Sequence, residues 1–236
     1  MNTGNHFLDS LDAADTGALQ PQLKRVELKR DQALAEAGKP LVRIILPIDC
    51  VISVIIVMRD GRQVESRTIG RESGFGLLNA LGSDLSFESV IVQVAGAAFT
   101  LPRNRLADAA SRSPTLLRQI VRHAQATIVQ AAQSTACNAL HDVRQRLCRW
   151  LLLTQDRLGR DQLALTQEHL SIMLGVQRTT VTAIASQMQK DGIITYSRGK
   201  LTVLDRAALL AGACECYAVI ERSAQRTLHP PAPEPA

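Results

Sequence analysis

The polar side chains among residues 177–190 are of the types that recognise DNA, and this set, called the polar row below, has no acidic residue before Asp191. An arginine guanidinium can form two hydrogen bonds to guanine, and a glutamine amide can do the same to adenine. A threonine can contact phosphate or a thymine methyl group. The candidate DNA contacts in this row are Gln177, Arg178, Thr179, Thr180, Thr182 and Ser186.

The spacing of apolar residues predicts two short helices that would position this row. Leu170, Met173 and Leu174 share one face of the first helix, and a second stripe runs from Val181 to Met188. Thr166 is a suitable N-cap for the first helix, and a glycine at position 175 suits the left-handed turn that ends it. This pattern is typical of a helix-turn-helix, and it adds Thr166 and Gln167 to the candidate DNA contacts. A helical corner packed in a protein core would show the same pattern.

A hairpin is predicted directly after the second helix. Residues 192–204 contain two β-rich runs on either side of Gly199, and Arg198 and Lys200 place positive charge at the tip. A hairpin after a recognition helix forms a wing, and a basic wing tip contacts phosphate. Both basic residues are therefore further candidate DNA contacts.

With these motifs, the chain resembles the cyclic-AMP receptor/fumarate–nitrate regulator (Crp/Fnr) family of bacterial transcription factors. The resemblance is most specific in the C-terminal half. It rests on Leu165–Glu168, Leu170, Met173–Val176, Arg178, Val181–Thr182, Gly192–Ile194 and Arg198–Gly199, with Cys137–Ala139, Arg146–Leu147, Arg149–Leu152, Leu204–Arg206 and Ala213–Tyr217 around them.

The resemblance implies an α+β chain that binds promoter or operator DNA as a homodimer, with RNA polymerase as a further partner. We expect a flexible tail at 1–20, a cyclic-nucleotide-binding-like β-roll at 21–112 and a dimerisation helix at 113–137. A winged helix-turn-helix domain is expected at 138–228 and a disordered tail at 229–236. From the residues alone, the β-branched runs at 41–58 and the hairpin signal Asp60–Gly61 predict short strands, which suggest a sandwich or barrel.

The operator should differ from that of the best-known family member. That member has Arg, Glu and Arg at the positions of Arg178, Thr179 and Ala183. Arg178 is expected to keep its guanine contact, whereas Thr179 lacks a carboxylate and Ala183 is too short to reach a base.

An apolar stripe marks the predicted dimerisation helix, which runs without glycine or proline from Pro114 to beyond 137. One interpretation is a core helix lying on its own β-domain, and the other is a seam between two copies of the chain. We favour the seam, because a helix linking two domains cannot fully bury such a stripe within one subunit. The candidate seam residues are Leu117, Ile120, Val121, Ala124, Ile128 and Ala131.

The effector pocket departs from the pattern of cyclic-nucleotide sensors. A glycine-rich turn suited to an anion contributes the candidate pocket residues Gly70, Arg71, Glu72, Gly74 and Gly76. However, residues 83–89 include Asp84 and Glu88 and no arginine to pair with a cyclic phosphate. Cyclic AMP is therefore an improbable effector, and the effector is unknown.

The five cysteines and five histidines show no recognisable ligand spacing. The first 49 residues contain no cysteine, so an iron–sulfur cluster of the family's oxygen-sensor type is not expected. Cys214 and Cys216 are too close in sequence for a zinc-finger pair and are interpreted as buried thiols, while His141 and His169 are interpreted as helix-surface residues. We therefore expect no metal and, without a nucleophile or base motif, no enzymatic activity.

Composition places few limits on function. The 27 basic and 22 acidic side chains give a net charge of +5, which is compatible with a polyanionic partner. The sequence lacks a signal-peptide pattern and a long apolar run, so we expect a cytoplasmic protein. The alternative function left open by the sequence is a small-molecule receptor or protein-docking module that does not bind DNA.

Overall fold

A computed structural model describes residues 2–197 and 199–228. The helices are α1 (His6–Asp9), α2 (Ala13–Leu19), α3 (Arg103–Ala110), α4 (Pro114–Leu140), α5 (Val143–Leu158), α6 (Gln167–Leu174), α7 (Arg178–Lys190), α8 (Arg206–Ala211) and α9 (Cys216–Leu228). The strands are β1 (Lys24–Leu28), β2 (Ala33–Ala35), β3 (Arg43–Pro47), β4 (Val51–Val57), β5 (Gln63–Ile69), β6 (Ser89–Val94), β7 (Gly96–Pro102), β8 (Gln162–Leu163), β9 (Ile194–Ser197) and β10 (Lys200–Val203).

Two antiparallel sheets form the N-terminal β-roll that the family resemblance implied, and the β-branched runs predicted strands within them. One sheet has the strand order β1-β7-β3 and the other β2-β6-β4-β5. Ile52, Val54 and Val92 are fully buried between the sheets. Phe75, from the segment after β5, is buried with them. Alternation along the paired strands places these apolar side chains on the inner face.

The N-terminal segment is folded, so the prediction of a flexible tail over 1–20 differs from the structure. Asn5 caps α1 and donates a side-chain hydrogen bond to the Pro47 carbonyl at 2.7 Å. Phe7, Leu8 and Leu19 are buried against α3 and the start of α4. These helices have only four and seven residues, too few for a recognisable period, and contacts with the rest of the chain stabilise them. The predicted tail at 229–236 lies outside the described residues.

The long helix α4 begins where Ser113 caps it and Pro114 occupies its first turn, and it ends three residues later than predicted. The structure corrects one seam residue: Ile120 is fully buried in the subunit's own core. Leu117, Val121 and Ile128 are 41%, 43% and 64% exposed. Ala124 and Ala131 are half-buried, and α9 packs along the same helix.

The C-terminal domain and the β-roll share one hydrophobic cluster. Asp142 and Gln145 form a capping box at the start of α5, whose Leu147, Leu151 and Leu152 are fully buried. The cluster includes Val51 and Val94 of the β-roll. No described helix is both long and apolar enough to cross a lipid bilayer.

Candidate DNA-binding interface

The turn between α6 and α7 has the geometry that the sequence predicted. Thr166 accepts a hydrogen bond from the His169 backbone N–H at 3.1 Å and so caps α6. Gly175 adopts a left-handed conformation with φ of +62° and ends the helix. The apolar faces of both helices point inward and are buried, through Leu170, Met173, Leu174, Val181, Ala185 and Met188.

The opposite face of α7 is open to solvent. Gln177, Arg178, Thr179, Thr180, Thr182 and Ser186 are all exposed. Arg178 forms no salt bridge with any residue in the described ranges 2–197 and 199–228. Its guanidinium is therefore available to an external acceptor.

Gln167 and Thr182 join the two helices on this face. The Thr182 hydroxyl donates to Gln167 Oε1 at 2.9 Å, and it lies at the same distance from the Arg178 carbonyl. Thr166 is half-buried, and its hydroxyl also lies 2.7 Å from His169 Nδ1. Thr166 and Gln167 therefore hold the helix-turn-helix together at the edge of the exposed face.

A three-stranded sheet forms the wing after α7. Strand β10 pairs with β9 and with β8, and Gly199 turns the hairpin with φ of +75°. Lys200 is exposed beside this turn. Arg198, the other predicted wing contact, lies outside the described residues.

The predicted effector residues separate into two groups. Gly74 and Gly76 line a cavity of about 420 Å³ that is bounded by β5, by the segment before β6 and by His123, Ala124 and Thr127 of α4. Gly70, Arg71 and Glu72 do not line this cavity. They lie at the junction with α5, where the Arg71 guanidinium donates to the carbonyls of Arg157 and Leu158.

Gly70 and Glu72 accommodate Arg157 at that junction. A Cβ atom on Gly70 would lie 2.5 Å from the Arg157 side chain, so a larger residue would displace it. Glu72 accepts a hydrogen bond from Arg157 Nε at 2.8 Å. Sequence spacing alone could not separate these residues from the cavity, because Arg157 lies more than eighty positions away along the chain.

An ion pair in the cavity wall involves an arginine from β5, outside the segment 83–89 in which the sequence analysis found none. Arg67 forms two hydrogen bonds with the Glu88 carboxylate, one of them 2.6 Å long, and the Arg67 side chain is only 10% exposed. Arg67 thus lies beside the cavity, but its charge is already paired with a carboxylate from the same chain.

The C-terminal domain is held against the β-roll by polar contacts that the sequence did not predict. Trp150 Nε1 donates to Glu65 Oε1 at 2.8 Å, and Ser53 donates to the same carboxylate at 2.6 Å. Burial raises the pKa of Glu65 despite these donors. His169 Nε2 lies 2.8 Å from Asp31 Oδ1, so His169 lies at the domain junction rather than on a free helix surface.

Three thiols and one imidazole gather at the end of α4. Cys137, His141, Cys214 and Cys216 place their ligand atoms within 4.8 Å of one another. The histidine was predicted on the surface, but its side chain is only 17% exposed. The helical i, i+4 spacing of Cys137 and His141 was a usable signal, yet nothing local linked it to the second pair.

The C-terminal domain matches a known family. The family model described as a Crp-like helix-turn-helix domain matches residues 145–211, which include α6, α7 and the wing. The global nitrogen regulator of Synechococcus elongatus is 22% identical over 215 residues, which cover 87% of this chain and 96% of that protein.

Solved structures show the same fold over most of the chain. FixK2 from Bradyrhizobium japonicum superposes with a TM-score of 0.71 at 16% identity, covering 81% of this chain and 98% of FixK2. A structure described as a Crp/Fnr-family transcriptional regulator from Eubacterium rectale gives 0.66 at 16% identity, covering 86% and 95%. The C-terminal domain is therefore a Crp-like helix-turn-helix domain, and most of the chain has the fold of these two solved structures.

Proposed function

We propose that the chain acts as a homodimer that recognises a two-fold DNA site through Gln177, Arg178 and Thr179, with Lys200 contacting phosphate. The observation that carries this proposal is the exposed face of α7 beside the wing, where Gln177, Arg178 and Thr179 are open to solvent. Two such faces related by a two-fold axis would read half-sites one helical turn apart, or about 34–36 Å.

A second copy of the chain is the partner that fits the exposed stripe on α4. Leu117, Val121 and Ile128 are spaced by four and seven residues and remain at least 41% exposed. Ala124 lies between them in the same row, and its small side chain permits two helices to approach closely. This spacing is that of a short coiled coil.

The cavity beside α4 is the proposed effector site. It is bounded by Gly74 and Gly76 on the β-roll and by Ala124 on the proposed dimer helix. A ligand bound there would touch both the sensor domain and the helix that joins the two subunits. Its binding could therefore alter the spacing of the two recognition helices.

Two measurements on the full chain test the proposal. Sedimentation equilibrium should give a dimer, and selection from a random duplex pool should return sequences with two-fold symmetry. Ile128→Glu should yield monomers with weaker binding to the full site, because it places a charge in the seam. The control Leu204→Glu alters a 60% exposed side chain outside α4 and should remain dimeric. A monomeric wild-type chain, or selected sequences without symmetry, would contradict the proposal.

A further inference from the structure

Four potential metal ligands meet where α4 ends and α9 begins. Cys137 and His141 lie one helical turn apart, and Cys214 and Cys216 flank Glu215 at the start of α9. Cys137 Sγ lies 3.5 Å from Cys214 Sγ, and Cys216 Sγ lies 3.5 Å from His141 Nδ1. The three cysteines are buried, and they form a hydrophobic cluster of their own.

We propose that this Cys₃His group is a structural Zn²⁺ site. Zinc binds thiolate sulfur at about 2.3 Å and imidazole nitrogen at about 2.0–2.1 Å, so the ligand atoms of a tetrahedral site lie roughly 3.5–3.8 Å apart. The Cys137–Cys214 and Cys216–His141 separations of 3.5 Å match this geometry. Four protein ligands fill the coordination sphere and leave no position for a substrate, which is the arrangement of structural sites.

The groups around the cluster are those that orient zinc ligands. His141 Nε2 lies 3.2 Å from Glu215 Oε2, which leaves Nδ1 as the nitrogen that faces Cys216. A carboxylate that accepts the other imidazole N–H is a common second contact of metal-bound histidine. Gln133 Nε2 donates to Cys216 Sγ at 3.1 Å, a hydrogen bond that stabilises a thiolate.

Nearby positive charge suits the net charge of the proposed complex. One Zn²⁺ ion with three thiolates and a neutral imidazole carries a charge of −1. Arg146 and Arg149 are both buried and lie near Cys137. Their Nε atoms have no hydrogen-bond partner within the described part of the chain. Arg149 also lies near Glu65, so its charge is shared between the domain junction and the thiol cluster.

The compactness of the cluster favours one metal ion over an iron–sulfur cluster. All four ligand atoms lie within 4.8 Å of one another, so one ion can contact all of them after small side-chain adjustments. An iron–sulfur cluster would hold ligands on different iron atoms further apart. A disulfide between Cys137 and Cys214 would not explain why His141 faces Cys216, or why Glu215 and Gln133 contact this histidine and this cysteine.

A zinc ion here would link two segments that are far apart in sequence, the end of α4 and the start of α9. His141 directly follows α4, and α5 of the C-terminal domain begins two residues later. The ion would connect the end of α4 to the start of α9, which packs back along α4. This site stands independently of whether the chain dimerises or which operator it reads.

Metal analysis of the full chain tests the assignment. We expect about one zinc ion per chain after purification in reducing buffer without chelator, and loss of this zinc in Cys214→Ser and His141→Ala. Cys50→Ala and Cys148→Ala are matched controls, because both cysteines are buried outside the cluster, and they should retain the metal.

Cobalt replacement of the zinc keeps the test decisive if a ligand variant fails to fold. Co²⁺ added to the metal-free wild-type chain should give the visible absorption of a tetrahedral thiolate site, and Zn²⁺ should displace it. Zinc content unchanged in both ligand variants would overturn the proposal. So would iron with inorganic sulfide, or a wild-type chain that binds neither zinc nor cobalt.

Discussion

The indole of Trp150, on the first helix of the DNA-binding domain, donates a 2.8 Å hydrogen bond to the carboxylate of Glu65 on β5 of the β-roll. Both residues are buried, and hydrophobic side chains from the two domains surround the junction. The domains are therefore joined by a shared core as well as by the chain itself. This arrangement leaves the recognition face of α7 free.

The junction predicts that the two domains unfold together. Trp150 is the only tryptophan in the chain, so its fluorescence reports the junction directly. Urea transitions followed by tryptophan fluorescence and by far-ultraviolet circular dichroism should coincide, because one cluster includes residues of both domains. A fluorescence transition at clearly lower urea than the loss of secondary structure would contradict a shared core.

A double-mutant cycle should detect the Trp150–Glu65 hydrogen bond itself. Trp150→Phe removes the donor, and Glu65→Gln replaces the carboxyl acceptor with an amide of the same size. We expect the two effects on the free energy of unfolding to deviate from additivity by about 0.5–3 kcal/mol, as residues in contact do. Strictly additive effects at pH 7 would show that the pair does not interact.

His123 predicts an acid-sensitive component of stability. Burial lowers the pKa of His123 to about 4, while nearby Glu72 opposes this shift. Because the unfolded chain binds a proton at about pH 6.5 and the folded chain does not, stability from the neutral imidazole is present above pH 6.5. It is lost as the pH falls toward 4.

The comparison variant for this prediction is His123→Gln. Between pH 7 and pH 5 the wild-type chain should lose about 2 kcal/mol more unfolding free energy than the variant, because only the wild type carries this titration. Denaturant titrations at several pH values measure the difference. Equal pH slopes in the two proteins would show that His123 is not buried in its neutral form.

Lys200 should contribute affinity without sequence preference. Lys200→Ala should weaken binding to specific and scrambled duplexes alike, and it should reduce the slope of log K against log salt by about 1. The control Lys24→Ala changes an exposed lysine on β1 and should leave the slope unchanged. An effect confined to the specific duplex would instead assign Lys200 to base recognition.

The Arg67–Glu88 pair predicts that cyclic AMP does not bind tightly. Glu88 occupies the guanidinium that a cyclic phosphate would need, and its own negative charge would repel the phosphate. Isothermal titration calorimetry should show no saturable micromolar binding to the wild type, and Glu88→Gln should bind the nucleotide better. Saturable micromolar binding to the wild-type chain would refute this interpretation.

Local motifs in the sequence predicted the helix-turn-helix well. Three features depend only on residues that are close together in sequence, so local patterns predict them. They are the Thr166 cap, the left-handed glycine at 175 and the apolar faces of the two helices. The hairpin around Gly199 was predictable for the same reason.

Features formed by distant residues could not be predicted in this way. Ile120 belongs to the same helical stripe as Leu117, and only the packing of α1 and α3 shows that it is buried. Arg71 and Glu72 are close in sequence to Gly74, which lines the cavity, yet their hydrogen bonds with Arg157 place them at the domain junction. The four-ligand cluster required residues 137 and 214 to meet in space.

The central claim is that the exposed face of α7 recognises DNA bases. The most direct test compares the binding free energy of Arg178→Ala with that of the wild type on the selected operator and on a scrambled duplex. If Arg178 reads a guanine, the variant should lose about 1–3 kcal/mol of binding free energy on the selected operator and much less on a scrambled duplex. The control Arg105→Ala, an exposed arginine on α3, should bind both duplexes like the wild type. Equal losses on both duplexes, or no loss on either, would contradict recognition of DNA bases by this face of α7.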